Sequence, residues 1–153
     1  MSVEFNGNAA HTLDPKGRVI IPATYRELLG EQFTIGLNNQ LVAIALYPKA
    51  EWTGICAKLS HISDTDLRGM WYKRLIIGNS FPDCTLDAQC RVLLPSTLRA
   101  KAGMTRNIRF VGMGEGLEIW DEDRYIEHSA KIEMDIESLL NYVDERYNRP
   151  KSQ

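Results

Sequence analysis

The chain is poor in the residues that staple small folds or hold metals. Among its 153 residues are three cysteines, Cys56, Cys84 and Cys90, which form neither an even disulfide set nor a Cys-x-x-Cys pair. Its three histidines, His11, His61 and His128, stand far apart in the sequence. A disulfide scaffold and a structural metal are therefore not expected, and neither is a cofactor. No apolar run reaches the roughly 18 residues that a membrane-crossing helix needs, so no membrane partner is expected. Residues 1–10 lack the basic start and apolar run of a signal peptide, which points to a cytoplasmic protein. Low-complexity sequence is missing as well, and only the stretch from Arg149 to Gln153 is expected to fray. The chain also has no Gly-x-Ser-x-Gly elbow, phosphate-binding Gly-rich loop or His-Glu-x-x-His pair. Asp14, Asp87 and Cys90 are the residues one would press into catalysis, and they stand without partners of the required kind. An enzyme and a small-molecule substrate are not expected.

What is present suffices for a folded core without staples: 44% of the residues are hydrophobic and 25% are charged. The formal net charge of −2, from 18 basic and 20 acidic residues, does not by itself suggest a nucleic-acid partner. The distribution of charge has to decide.

The decisive feature is an internal repeat. Residues Thr12 to Arg26 align with Thr85 to Arg99 at an offset of 73 positions, and the offset holds without a gap. It carries Gly30 onto Gly103, Ile35 onto Ile108, Tyr47 onto Trp120 and Trp52 onto Tyr125. Most matched positions serve turns and core, as in any duplicated fold. Burial does not explain why the polar residues Asp14, Arg18 and Arg26 recur as Asp87, Arg91 and Arg99.

Within one copy, Thr12–Asp14 and Arg18–Ile21 read as short strands. Asp14-Pro15-Lys16-Gly17 between them has the residue order of a type I turn. Asp14 can accept backbone N–H bonds within that turn, while Lys16 and Arg18 present cations. Pro22 suits the start of a short helix, Ala23 to Leu29, which Gly30 can end. Gln32 to Leu37 and Leu41 to Tyr47 read as a second strand pair bent at Asn38-Asn39. The second copy repeats the pattern with Asn107 to Gly112 and Leu117 to Trp120. So small a unit would be unstable alone, and interleaving of the two copies into one closed barrel with a joint core is expected.

Lys49 to Leu59 and Asp64 to Ile77 read as helices. In the second, Leu67, Met70, Trp71 and Leu75 share a face, as core or as subunit interface, while Arg68, Lys73 and Arg74 read as a solvated face. Asp121 to Ile132 corresponds to the first of these helices, and Ile136, Leu139, Leu140, Val143 and Tyr147 continue an apolar stripe beyond it. This end is acidic. The cations Lys16, Arg18, Arg26, Arg91, Arg99, Lys101 and Arg106 instead gather in the hairpin and short-helix segments. That separation of charge restores a nucleic-acid partner to the expectations.

The Asp-x-Lys-Gly-Arg-x-x-x-Pro run at Asp14 to Pro22, echoed as Asp-x-x-x-Arg-x-x-x-Pro at Asp87 to Pro95, resembles the MraZ family. So do the runs from Leu46 to Trp52 and from Glu118 to Asp121. The resemblance implies an α+β, mainly β fold. It is made of two pseudo-symmetric swapped-hairpin halves of the AbrB-like, double-split β-barrel kind, with flanking helices. The boundaries expected are 8–51 and 81–124 for the two halves, 52–80 for a helical connector and 125–153 for a C-terminal helical segment. It further implies a homo-oligomeric ring in the cytoplasm and nucleoid that binds repeated sites in double-stranded promoter DNA. The promoter implied is that of the division and cell-wall gene cluster, including the protein's own gene. By position, Arg18, Lys16 and Arg91 become the expected DNA contacts, with Asp14, Asp87 and Gly17 as their support. Ala88-Gln89-Cys90 replaces Pro15-Lys16-Gly17 in the second turn, so the first hairpin is expected to contribute more. The rival reading is an oligomeric scaffold or protein-binding module whose Asp/Arg motifs serve only subunit assembly.

Overall fold

The computed structural model describes residues 4–150. Lys151 to Gln153, part of the stretch expected to fray, lie outside the described residues. Two compact units divide the chain, 1–122 and 123–153.

The first unit opens with β1 (Asn8–Thr12), β2 (Arg18–Ile20), α1 (Ala23–Leu29), β3 (Phe33–Leu37) and β4 (Ile44–Pro48). Two helices follow, α2 (Lys49–Leu59) and α3 (Leu67–Ile77). The second copy then supplies β5 (Phe81–Cys84), β6 (Arg91–Leu93), α4 (Ser96–Lys101), β7 (Asn107–Gly112) and β8 (Leu117–Asp121). The class is α+β with a mainly antiparallel β core, as expected.

The copies exchange strands. A six-stranded sheet runs in the order β1-β7-β8-β4-β3-β5, and β2 and β6 form a separate two-stranded ribbon. The first strand of each copy thus pairs with the third strand of the other: β1 lies on β7 and β5 on β3. The two central pairings are antiparallel and nearly self-matching. Val19 faces Val92 in the ribbon, and Ala45 faces Glu118 between β4 and β8. Each of those partners stands 73 positions after the residue it faces, so a pseudo-twofold axis passes through both pairs. Neither copy has a complete set of strand partners without the other, the physical reason they interleave.

The core is shared accordingly. Phe33, Ile21, Leu29, Ile35, Ile44 and Leu46 of the first copy pack in one cluster with Phe110, Leu94, Leu98, Ile108, Leu117 and Ile119 of the second. All are essentially inaccessible to solvent. Burial of such side chains stabilises by about 1.5–3 kcal/mol each.

Several boundaries differ from the sequence reading. β1 begins at Asn8, because its hydrogen-bond partners come from β7 and not from its own turn. β4 begins at Ile44: the Asn38 side chain accepts from the N–H groups of Val42 and Ala43, and Leu41 takes a left-handed φ of 62°. This turns the chain before the strand can start. α3 begins at Leu67 and not at Asp64, because Asp66 takes the N-cap position and accepts from Gly69 N–H at 2.9 Å. Within this chain α3 buries Ile76, whereas Leu67 and Trp71 are 76% and 62% exposed, so those two stripe residues are not core. Arg74 lies over the Trp71 ring, 4.9 Å from its centroid.

The second unit holds most of α5 (Glu122–Glu133), then α6 (Ile136–Val143) and a π-helical turn at Asp144–Asn148. Neither α5 nor α6 has a buried residue; Ile136, Leu139, Leu140, Val143 and Tyr147 are all exposed. Among the described residues no helix is long and apolar enough to cross a membrane.

Candidate nucleic-acid interface

Each turn leading into the ribbon is built around one aspartate. Asp14 Oδ1 accepts from the backbone N–H of Lys16 at 2.9 Å and of Arg18 at 2.8 Å. Its other oxygen, Oδ2, accepts from Arg18 Nε at 2.6 Å. The backbone closes the same loop, with Gly17 N–H donating to Asp14 O and Asp14 N–H to Arg18 O. The second turn reproduces this geometry. Asp87 Oδ1 accepts from Gln89 N–H and Arg91 N–H, each at 2.9 Å, and Oδ2 from Arg91 Nε at 3.0 Å. The recurring Asp/Arg pairs are therefore internal to their turns, and each carboxylate is engaged by its own loop. The Arg18 N–H bond, followed by the Arg18 guanidinium and the Lys16 N–H, holds the Asp14 carboxyl below its ordinary 3.8 against the opposing effect of burial. Arg91 and Gln89 do the same for Asp87.

Both turns need a left-handed residue in their last position. Gly17 supplies it at φ 86° in the first copy. The second copy has Cys90 there, at φ 60°, so loss of the glycine keeps the turn shape at a cost in backbone strain. The turns are also tied to the opposite copy: Leu94 N–H donates to Gly17 O and Ile21 N–H to Cys90 O, each at 3.0 Å.

The ribbon beyond the turns alternates. Val19 and Val92 point into the core at 1% and 6% exposure, while Arg18, Ile20, Arg91 and Leu93 face outward. In register, Arg18 lies opposite Leu93 and Arg91 opposite Ile20. Two arginines thus flank two exposed aliphatic side chains on one two-stranded surface. Lys16 is exposed in the first turn.

Beside the first turn the surface is concave. A cleft there is lined by Asp14, Arg18, Arg91, Arg99 and Arg106, with Thr12 and Thr105 among its polar walls. Sequence reasoning singled out Arg18, Lys16 and Arg91, together with Asp14, Asp87 and Gly17. It did not place Arg99 or Arg106 at a site. The signals that pointed to them were the recurrence of Arg26 as Arg99 and the gathering of cations in these segments. Among the described residues no three His, Cys, Asp or Glu side chains come together as metal ligands.

Residues 5–69 and 82–142, each holding one copy of the motif, match the family model described as MraZ protein, antitoxin-like. The chain belongs to the MraZ family. It is 35% identical over 141 residues to a protein named transcriptional regulator MraZ from Thermoanaerobacter sp. strain X514, covering 91% of this chain and 96% of that one. A protein of the same name from Acetivibrio thermocellus is 36% identical over 137 residues, covering 88% and 93%. Another, from Shewanella pealeana, is 36% identical over 141 residues and covers 90% of each chain. These relatives are named for transcriptional regulation and not for a reaction. The two matched segments correspond to the two copies that exchange strands in the sheet.

Proposed function

We propose that this MraZ family member is a sequence-specific, DNA-binding transcriptional regulator. It acts as a homo-oligomeric ring on repeated promoter sites of the division and cell-wall gene cluster, including its own gene. The observation that carries this reading is the outward face of the β2–β6 ribbon, where Arg18 and Arg91 stand on turns rigidified by Asp14 and Asp87. A two-stranded ribbon fits the major groove, and arginine is the side chain best suited to a guanine edge. Oδ2 of the aspartate, bound to Nε, fixes the plane of each guanidinium before DNA arrives, which lowers the ordering cost of binding. Lys16, at the tip of the first turn, adds a phosphate contact.

One ribbon makes few contacts and binds weakly. Several ribbons on a ring engaging successive repeats raise affinity through effective concentration, which reconciles binding with a net charge of −2. The exposed apolar stripes of α3 and α6 are the surfaces we assign to subunit contacts. Those same stripes are the observation that favours the scaffold reading. Fluorescence anisotropy with a duplex taken from just upstream of the gene's own start separates the two. Salt-sensitive binding that is lost in Arg18→Ala at unchanged oligomer size supports the regulator. Absence of binding by the unaltered protein at low salt supports the scaffold.

A further inference from the structure

The two hairpins are symmetric in their turns and unequal in what flanks them. Arg99 extends from α4 towards the first turn, where its Nε donates to Leu94 O at 2.9 Å. Its guanidinium then lies directly against Gly17: a Cβ built on that glycine would fall 2.5 Å from Arg99 Cζ. Gly17, having no side chain, leaves room for this close approach. Arg106 lines the same cleft from the segment ahead of β7. Its backbone C=O accepts from Leu13 N–H at 2.8 Å, which anchors it beside the first turn. Its exposed side chain has no hydrogen-bond or ion-pair partner among the described residues.

The second hairpin reproduces one half of this arrangement and not the other: Arg26 Nε donates to Ile21 O at 2.7 Å, as Arg99 Nε does to Leu94 O, but the counterpart of Arg106 is not a cation. At the 73-residue offset Arg106 corresponds to Phe33, which is buried in the core, and Met104 corresponds to Glu31. Cys90 stands where Gly17 stands, so the second turn carries a side chain at the position that the Arg99 guanidinium covers in the first. The strand before the turn differs as well: β5 meets β3 with a register shift between Phe33 and Ile35, and Asp83 takes a φ of 59°.

From this we infer a phosphate-binding cleft formed by Arg99 and Arg106 beside the first turn only, which grips the DNA backbone next to the base edge contacted by Arg18. The inference rests on the DNA-binding reading above and adds a polarity to it: each chain meets the duplex with one gripping half and one non-gripping half. Arg99 is the pre-positioned, half-buried donor. Arg106 is the free cation that completes the pair. Two guanidinium groups lining one concave surface suit the tetrahedral oxygens of a phosphodiester better than a flat base edge.

The test uses the full-length chain and the upstream duplex, comparing the unaltered protein, Arg106→Gln and the surface control Arg68→Gln by anisotropy across salt concentration. Arg106→Gln, which loses no internal partner, is expected to keep its circular dichroism spectrum and oligomer size. Its affinity should fall on the order of fivefold to tenfold at about 0.1 M salt, equally for cognate and scrambled duplexes. The slope of log affinity against log salt should flatten by about one. Arg68→Gln should change neither quantity. Duplexes carrying a single neutral methylphosphonate linkage then locate the contact. At one linkage position, the unaltered protein and Arg106→Gln should bind equally. An unchanged slope in Arg106→Gln, or the lack of any linkage that equalises the two proteins, overturns the cleft and leaves the Arg18 reading standing. Failure of the unaltered protein to bind the duplex overturns both.

Discussion

Gln89 Oε1 accepts a hydrogen bond from Arg91 Nη2 at 2.9 Å, and the first copy has no counterpart to this bond, because Lys16 stands where Gln89 stands. A lysine cannot accept from a guanidinium. Beyond the Nε bond to Asp14, the terminal nitrogens of the Arg18 guanidinium have no hydrogen-bond partner among the described residues, which leaves them open to the proposed DNA contact. Arg91 has one of them already committed. Arg18→Ala should weaken DNA binding by tenfold or more, within the roughly 1–3 kcal/mol of a bidentate base contact. Arg91→Ala should cost less. Gln89→Ala, which releases Arg91 Nη2, should leave binding unchanged or stronger; anisotropy on a single duplex ranks all three.

The left-handed turn positions make opposite predictions for the two copies. Gly17→Ala puts a methyl group into both an unfavourable φ and the Arg99 guanidinium. It should destabilise the fold by about 1–2 kcal/mol. Cys90→Gly relieves a strained residue and should stabilise by about 1 kcal/mol, raising the melting temperature by roughly 2–4 °C. Thermal unfolding followed by circular dichroism measures both; a destabilised Cys90→Gly would contradict the strain argument.

Acid should loosen the hairpins through their aspartates. Asp14 and Asp87 are held below the ordinary 3.8 by hydrogen bonds from Arg18 and Arg91 N–H and from the guanidinium groups. A carboxyl whose folded value is depressed adds stability above the unfolded value, and that contribution disappears as pH falls through the folded value. Urea midpoints should therefore drop as pH is lowered past 3.8. An Asp14→Asn, Asp87→Asn double variant should show a shallower drop over the same range.

At the alkaline end the informative group is Tyr47. Burial, reinforced by the negative charge of Glu118, pushes its phenol up to about 12. The neutral form is favoured in the folded state, so stability is fully present below the ordinary value of 10 and is lost as pH rises through about 12. Ultraviolet titration of the phenolate should show a late step that Tyr47→Phe removes.

The duplication, the Asp14–Gly17 turn and the helix from Ala23 to Leu29 ended by Gly30 were legible from the residues alone. They depend on local rules: turn chemistry, the φ available to glycine, and the spacing of apolar side chains. The expectation of one joint core also held, since neither copy has enough sheet to bury a face of its own. The late starts of β4 and α3 were less visible, because Asn38 and Asp66 act through side-chain bonds to nearby backbone that composition does not reveal.

Tertiary structure alone decided which strand lies beside which, and with it the start of β1 at Asn8. It also decided that each Asp/Arg pair closes within its own turn, and that Arg99 and Arg106 meet Gly17 and Arg18 in one cleft. Backbone hydrogen bonds are alike at every residue, so a strand's sequence does not name its partner. The approach of Arg99 to Gly17 joins residues far apart in the chain, and only the exchange of β1 and β5 between the copies brings them together.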